Sequence, residues 1–314
     1  MVLRFSLLFV GRKAMDVIMN KTVLLIAGGG TLGTYTSEEL LKIGCSVDVI
    51  CLEDRESSND KLRFFKSYAT EEYLAEFFKG KHYDSIVNFV HYPIAEDYIK
   101  IHPLLICNTD HLVFVSSYRV YANKQKPITE TATRLSEVIT EESYFTKEGY
   151  SAPKCQCEDF LKDKCSGQPW TVIRPVISFS DKRFDLFTYT GNTVLEKVSK
   201  GEELILPSYA KNLTAGLDWA GNSGKLIARL CVDSKTVGES YTISTGQNIT
   251  WGELANIYTE LIGLNVKWVS EDEFLEINPD LKGRWHYIYD RKLNREIDPS
   301  KVLAATGLKK TDFC

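Results

Sequence analysis

A chain of 314 residues, 44% hydrophobic and 25% charged, has the composition of an ordinary folded protein and is long for one core, so two lobes are expected. Its net charge of −4 lacks the basic footprint of nucleic-acid binding, and no apolar run reaches the roughly 18 residues of a bilayer span.

Residues 1–20 read as an N-terminal extension. Arg4 precedes the apolar run 5–10, but basic Arg12 and Lys13 follow it and no small-residue cleavage site does. A cytoplasmic protein is expected, with an extension that contributes little to the fold. The eight cysteines are scattered, and the one close pair, Cys155 and Cys157, points to different faces of a helix. Reduced, mostly buried thiols and no metal site are expected.

Thr22-Val-Leu-Leu-Ile-Ala is an apolar run that stops at Gly28-Gly-Gly30-Thr31-Leu32-Gly33 and turns amphipathic, which reads as strand, tight turn and helix. Gly28, Gly30 and Gly33 fit G-x-G-x-x-G. In that motif the first glycine permits the turn, the second lets backbone approach a pyrophosphate, and the third lets helix pack on strand. Phosphates would sit on free N–H groups at the helix start, around Thr31 and Leu32.

Helical spacing runs over 34–43, Gly44 ends it, and 47–52 is a second strand closing at Glu53. Glu53 lies 20 residues past Gly33, where an acid is placed to hydrogen-bond a ribose 2′-OH. Arg55, two residues on, could instead receive a 2′-phosphate. NAD is therefore the expected cofactor and NADP the alternative.

Beyond a loop at 56–60, the pattern gives a third strand at 62–65, a helix at 71–79, a buried fourth strand at 84–91 and a fifth at 112–117. Pro93 and Pro103 interrupt the stretch between the last two, so any helix there is expected to be short. A helix over 147–164 and a sixth strand over 170–175 follow. Then alternation weakens, with helices at 191–200, 219–232, 250–263 and 299–305 and strands at 203–206, 240–244 and 266–269. Such alternation implies an α/β fold with a doubly wound parallel sheet over 21–178, to which about 212–243 return. Residues 179–314 mainly form a smaller, irregular lobe that supplies the substrate pocket.

Tyr150-Ser-Ala-Pro-Lys154 places a phenol and an ammonium at i and i+4 on one helix face. Ser117 ends a parallel strand, beside the crevice where such sheets bind ligands. A phenol ordinarily titrates at about 10, so a neighbouring ammonium and an oxidised nicotinamide are needed to favour its phenolate. Ser117 would then hold the substrate oxygen while Tyr150 moves the proton.

From Thr22 to Leu308 the chain resembles the extended short-chain dehydrogenase/reductases, the NAD-dependent epimerase/dehydratase group. The resemblance rests on the glycine turn, on Val113-Phe-Val-Ser-Ser-Tyr-Arg-Val-Tyr121 followed by Pro127-Ile-Thr-Glu130, and on Tyr150-x-x-x-Lys154 with Glu158. It continues through Ile173-Arg-Pro175, Gly238-Glu-Ser-Tyr-Thr-Ile243, Thr250-Trp-Gly-Glu-Leu254 and Asp298-Pro-Ser-Lys301. It implies a Rossmann-type sheet and a catalytic triad of Ser117, Tyr150 and Lys154, with Lys154 also on the nicotinamide ribose. Val90 and Pro175 join the implied cofactor contacts, and a hydroxyl or ketone of a nucleotide-activated sugar is the implied substrate.

The chain departs from the family's pattern at three places. Ala122 follows Tyr121 where the family usually has Gly, and Ser67 stands where an Asp commonly contacts adenine. The 84–117 region reads as short, without a match for the family's helix asparagine. That trimmed form, with Asn88-Phe-Val-His-Tyr-Pro93, is similar to the atypical subgroup that includes chloroplast stem-loop-binding proteins. A curtailed crossover helix also implies a monomer or weak homodimer, since family dimers are built on it. Two alternatives stand beside the sugar-nucleotide enzyme: a non-catalytic, RNA- or partner-binding protein of the same fold, and a reductase of a small non-sugar carbonyl. Arg183, Trp219 and Trp285-His-Tyr-Ile-Tyr289 are candidates for base stacking or phosphate contact, against core or surface roles.

Overall fold

A computed structural model describes residues 20–314, so the N-terminal extension lies almost wholly outside the described residues. Strand β1 (Thr22–Ile26) leads into helix α1 (Thr31–Lys42), then β2 (Ser46–Cys51), β3 (Leu62–Lys66), α2 (Glu71–Phe77) and β4 (Ser85–Asn88). Helix α3 (Ala95–Ile106) and β5 (Leu112–Val115) precede α4 (Glu142–Lys147), α5 (Ser151–Lys164), β6 (Trp170–Pro175) and β7 (Ile177–Phe179). The rest is α6 (Gly191–Lys200), β8 (Glu203–Pro207), β9 (Leu217–Trp219), α7 (Ala220–Cys231), β10 (Ser240–Ile243), α8 (Trp251–Ile262), β11 (Asn265–Val269), α9 (Glu271–Ile277) and α10 (Ser300–Thr306).

Seven strands form one parallel sheet in the order β10-β6-β5-β4-β1-β2-β3. The strands nearest its middle are fully buried because helices cover both faces; Val23, Leu24, Leu25 and Ile26 of β1 have no exposed surface, and the ends of β4 bury the polar Ser85 and Asn88. The order reverses between β1 and β4, and a crevice for ligands opens at the carboxyl ends there. Two smaller two-stranded sheets, β11-β8 and β7-β9, belong to the other half of the molecule.

Close backbone approach holds α1 against α7. A Cβ on Gly224 would lie 2.6 Å from the carbonyl carbon of Tyr35, so only glycine admits this contact. Under the crevice a buried polar network ties the sheet to α5. Glu158 takes two charge-assisted bonds from Arg174, Nε at 2.9 Å and Nη2 at 2.6 Å. Arg174 Nη1 also donates to the Tyr121 hydroxyl at 2.9 Å. The coupled pair holds the Glu158 carboxyl below its usual range, Arg174 charge overcoming the burial that opposes it.

Two expectations are corrected. The region between β4 and β5 is not curtailed: α3 is a twelve-residue helix with Pro103 inside it. Pro93 falls before its start. Pro103 costs the helix one bond, to the Ile99 carbonyl, about 3 kcal/mol. Burial of Tyr98, Ile101 and Leu105 in the core offsets that loss. The expectation of a monomer or weak dimer thereby loses its premise, and so does the likeness to the trimmed subgroup. The helix expected over 147–164 is broken at 148–150, between α4 and α5. Pro153 is tolerated near the start of α5, where backbone N–H groups have no helical partner. The short strands β7 and β9 and helix α9 carried too little periodicity to be read from the sequence.

Among the described residues, no helix is long and apolar enough to cross a membrane. Cys51, Cys155, Cys157, Cys165 and Cys231 are buried free thiols, while Cys107 and Cys314 are exposed.

Candidate active site

The glycine turn closes against β2, with Gly28 N–H donating to the Ile50 carbonyl at 3.1 Å. The left-handed step of the turn falls on Ala27, at φ 56°. Gly28 is required for a different reason: a Cβ there would lie 2.7 Å from Leu25 Cβ. Gly33 lets α1 sit on the turn, since its Cβ would come within 2.5 Å of Gly28 Cα. Gly30 faces open space and begins α1 with no side chain capping the helix. The N–H groups of Thr31, Leu32 and Gly33 therefore have no helical partner and point toward the crevice with the positive end of the helix dipole.

Two cavities flank this turn. One, of about 410 Å³, runs from Ala27 and Gly29 past Glu53 to Ser67, Val90 and His91. The other, of about 310 Å³, takes in Thr31, Glu53, Arg55 and Lys182. Arg55 folds back over the turn, donating from Nη2 to the Gly29 carbonyl at 2.8 Å and lying 3.8 Å from Glu53 Oε1. Glycine at position 29 makes room for this corner, because a Cβ would meet Cys51 Cβ at 2.7 Å.

A third cavity of about 330 Å³ adjoins them and brings together Ser117, Tyr150, Lys154, Leu32 and Pro175. Ser117 is buried at the end of β5, its Oγ accepting from the Arg119 N–H at 3.2 Å. Its hydroxyl proton remains available to a ligand. Lys154 is buried on α5 and donates from Nζ to the Val115 carbonyl at 2.6 Å and the Val90 carbonyl at 3.4 Å. Desolvation brings its ammonium down to about 8.

Tyr150 stands just outside α5, not within it, which corrects the one-face reading of Tyr150 and Lys154. The helix starts there because Glu148 Oε2 reaches forward to accept from the backbone N–H groups of Tyr150 at 3.0 Å and Ala152 at 2.9 Å. The Tyr150 ring lies against the Arg119 guanidinium, 4.4 Å from its centroid, and against His91 at 5.1 Å. The Lys154 backbone N–H donates to the Tyr150 carbonyl at 3.4 Å, but among the described residues no side-chain hydrogen bond joins Tyr150 to Ser117 or Lys154. What unites the three is the cavity.

His91, Arg119, Asp290 and Arg291 complete its polar wall and were not singled out from the sequence. Arg119 had a signal, two residues past Ser117 within the same motif. Asp290 and Arg291 had none, arriving from 172 residues beyond Tyr118, whose hydroxyl donates to Asp290 at 2.8 Å. Arg183 lines the cavity but is paired with Asp185 at 3.0 Å. Trp219 packs edge-on against Tyr35 at 5.6 Å, and Trp285, stacked on Tyr289 at 5.8 Å, lines a neighbouring cavity with Tyr150.

No family model matches the chain, and no curated protein does. Solved structures do resemble it. UDP-glucose-4-epimerase from Stenotrophomonas maltophila, with bound NAD and formylated UDP-arabinopyranose, superposes with a TM-score of 0.66 at 16% identity over 94% of this chain and 96% of that one. The Bordetella bronchiseptica enzyme WbmG in complex with NAD and UDP gives 0.66 at 16% identity over 92% and 89%. UDP-glucose 4-epimerase from Bifidobacterium longum, in complex with NAD⁺ and UDP, gives 0.62 at 17% identity over 93% and 95%. Across nearly its whole length, then, this chain has the Rossmann-like α/β fold of these NAD-bound proteins.

Proposed function

We propose that the protein is a cytoplasmic, NAD-dependent enzyme acting on a hydroxyl or ketone of a nucleotide-activated sugar, as an epimerase, dehydratase or oxidoreductase. The observation that carries this reading is the convergence of Ser117, Tyr150 and Lys154 on one cavity beside the glycine turn. The residues of the turn fit a dinucleotide: Gly33 admits the tight helix approach, Gly30 leaves open space, and the start of α1 is uncapped.

Gly30, Thr31, Leu32 and Gly33 would hold the diphosphate, Glu53 the adenosine ribose, and Lys154 with Val90 and Pro175 the nicotinamide end. NAD so bound supplies hydride acceptance and return. Ser117 orients the substrate oxygen, Tyr150 gives or takes its proton, and the Lys154 ammonium stabilises negative charge developing there.

Glu53 and the engagement of Arg55 with the Gly29 carbonyl favour NAD over NADP. Competition against NADH fluorescence tests this: tighter binding of NADPH, lost in Arg55→Ala, would reverse it. For the substrate class, thermal shifts are measured with a panel of nucleotide sugars in the presence of NAD or NADP. A stabilising sugar nucleotide is expected. Stabilisation by RNA or by small carbonyl compounds alone would refute the reading.

A further inference from the structure

Arg119 forms the wall between the reaction cavity and a neighbouring cavity of about 350 Å³ lined by Lys147, Glu148, Tyr150 and Arg284. Its guanidinium carries five N–H donors in a fixed fork. Among the described residues none of these makes a hydrogen bond, and Nε is buried without a partner. The nearest carboxylates, Glu148 and Asp290, are each 3.7 Å away, beyond hydrogen-bond reach.

Both carboxylates are engaged elsewhere. Glu148 caps α5 through the two backbone N–H groups already described. Asp290 accepts from Tyr118 and from Arg291 Nη1 at 2.5 Å. Once Asp290 is set against Arg291, the junction holds Arg119, Lys147, Lys154 and Arg284 against Glu148 alone. The Arg119 side chain, 20% exposed, is thus a fork of unspent donors in a region of surplus positive charge, stacked on the phenol of Tyr150.

A planar guanidinium in that state matches a carboxylate, two N–H groups to two oxygens. Resting on the reading of Ser117 and Tyr150 as the groups that meet the reacting carbon's oxygen, we propose that Arg119 receives a carboxylate carried by the reacting sugar itself. The preferred substrate is then an acidic, uronate-type nucleotide sugar. The diphosphate of the same molecule offers similar oxygens but is separated from the reacting carbon by the sugar ring, whereas Arg119 lies against Tyr150.

UDP-glucuronate and UDP-glucose differ by this carboxylate and are the probes. Their affinities are measured by titration calorimetry on the NAD-loaded full chain and on Arg119→Gln and Arg119→Lys, with circular dichroism and NAD affinity reporting that each variant is folded. The uronate is expected to bind about tenfold or more tightly than the neutral sugar. Arg119→Gln brings that ratio close to one, and Arg119→Lys recovers part of it. Equal affinities in the unaltered protein, or a ratio that survives Arg119→Gln, overturn the assignment. Loss of both sugars by the same factor in Arg119→Gln would assign Arg119 to the diphosphate and overturn it as well. If the unaltered protein binds neither sugar nor UDP, the sugar-nucleotide reading itself falls, and the carboxylate with it.

Discussion

The cleft at the glycine turn draws on stretches of the first third of the chain, 27–30, 50–53, 67–70 and 90–91, whereas the reaction cavity beside it takes residues from segments spread between Leu32 and Arg291. The cleft is shaped by backbone: missing Cβ atoms, unpaired N–H groups and one carbonyl held by Arg55. The cavity is shaped by side chains and by the buried ion pairs beneath and around them. A backbone site tolerates change in its surroundings and fails when a Cβ is added. A side-chain site depends on every charge keeping its partner in a low-dielectric interior, where a lone ion is expensive.

The strongest way to break that contrast is Glu158→Ala, which leaves Arg174 buried and unpaired beneath the reaction cavity. A loss of about 3–5 kcal/mol in urea-denaturation stability is expected. A loss below about 1 kcal/mol would show that the network does not hold the cavity together. Tyr150→Phe keeps the ring against Arg119 and removes the hydroxyl proposed to transfer the proton. Turnover should fall by about 10² or more while NAD affinity changes little, so unchanged turnover would dismiss Tyr150 as the acid–base group.

Lys154 links the two regions, because the carbonyls that hold its ammonium lie just past β4, at Val90, and at the end of β5, at Val115. Its folded-state value of about 8 lies below the ordinary 10.5, so the ammonium is present below pH 8 and lost above it. NAD affinity and kcat/KM should decline as pH rises through about 8, and that break should vanish in Lys154→Met. Stability runs the other way. Between pH 8 and 10.5 the unfolded chain binds more protons than the folded one, so Lys154 makes the protein more stable across that window as pH rises. A pH profile identical in Lys154→Met would remove Lys154 from this role. The smallest effect is expected within the cleft. Ala27→Gly relieves the positive φ at the turn and should raise stability by up to about 1 kcal/mol, whereas destabilisation would mean that the Ala27 methyl packs better than its backbone is strained.

Much of the cleft was legible because its chemistry is local. A glycine spacing, an acid 20 residues on and an apolar run are all one-dimensional signals, and they placed Gly30, Gly33, Glu53 and Arg55 at one corner. Even there the backbone angles were not legible, because a spacing of residue types carries no φ, and the left-handed residue is Ala27. Ser117, Tyr150 and Lys154 were found through spacing and resemblance, but Tyr150 was put on the helix because nothing in the spacing shows Glu148 capping it. Pro103 misled for the opposite reason: local propensity argued against α3, and burial of its apolar face outweighed it.

By itself, then, the sequence determined the alternation that yields a parallel sheet, the position of the glycine turn and the identity of the hydroxyl, phenol and ammonium groups that share the cavity beside it. These follow from periodicity and residue chemistry, which travel along the chain. Only the tertiary structure decided that Asp290 and Arg291 would meet Tyr118, that two carboxylates would stop 3.7 Å short of Arg119, and that Lys154 would lie buried among carbonyls. Those are distances between segments far apart in sequence, and electrostatics in a desolvated cavity depends on distance and burial, neither of which a linear pattern contains.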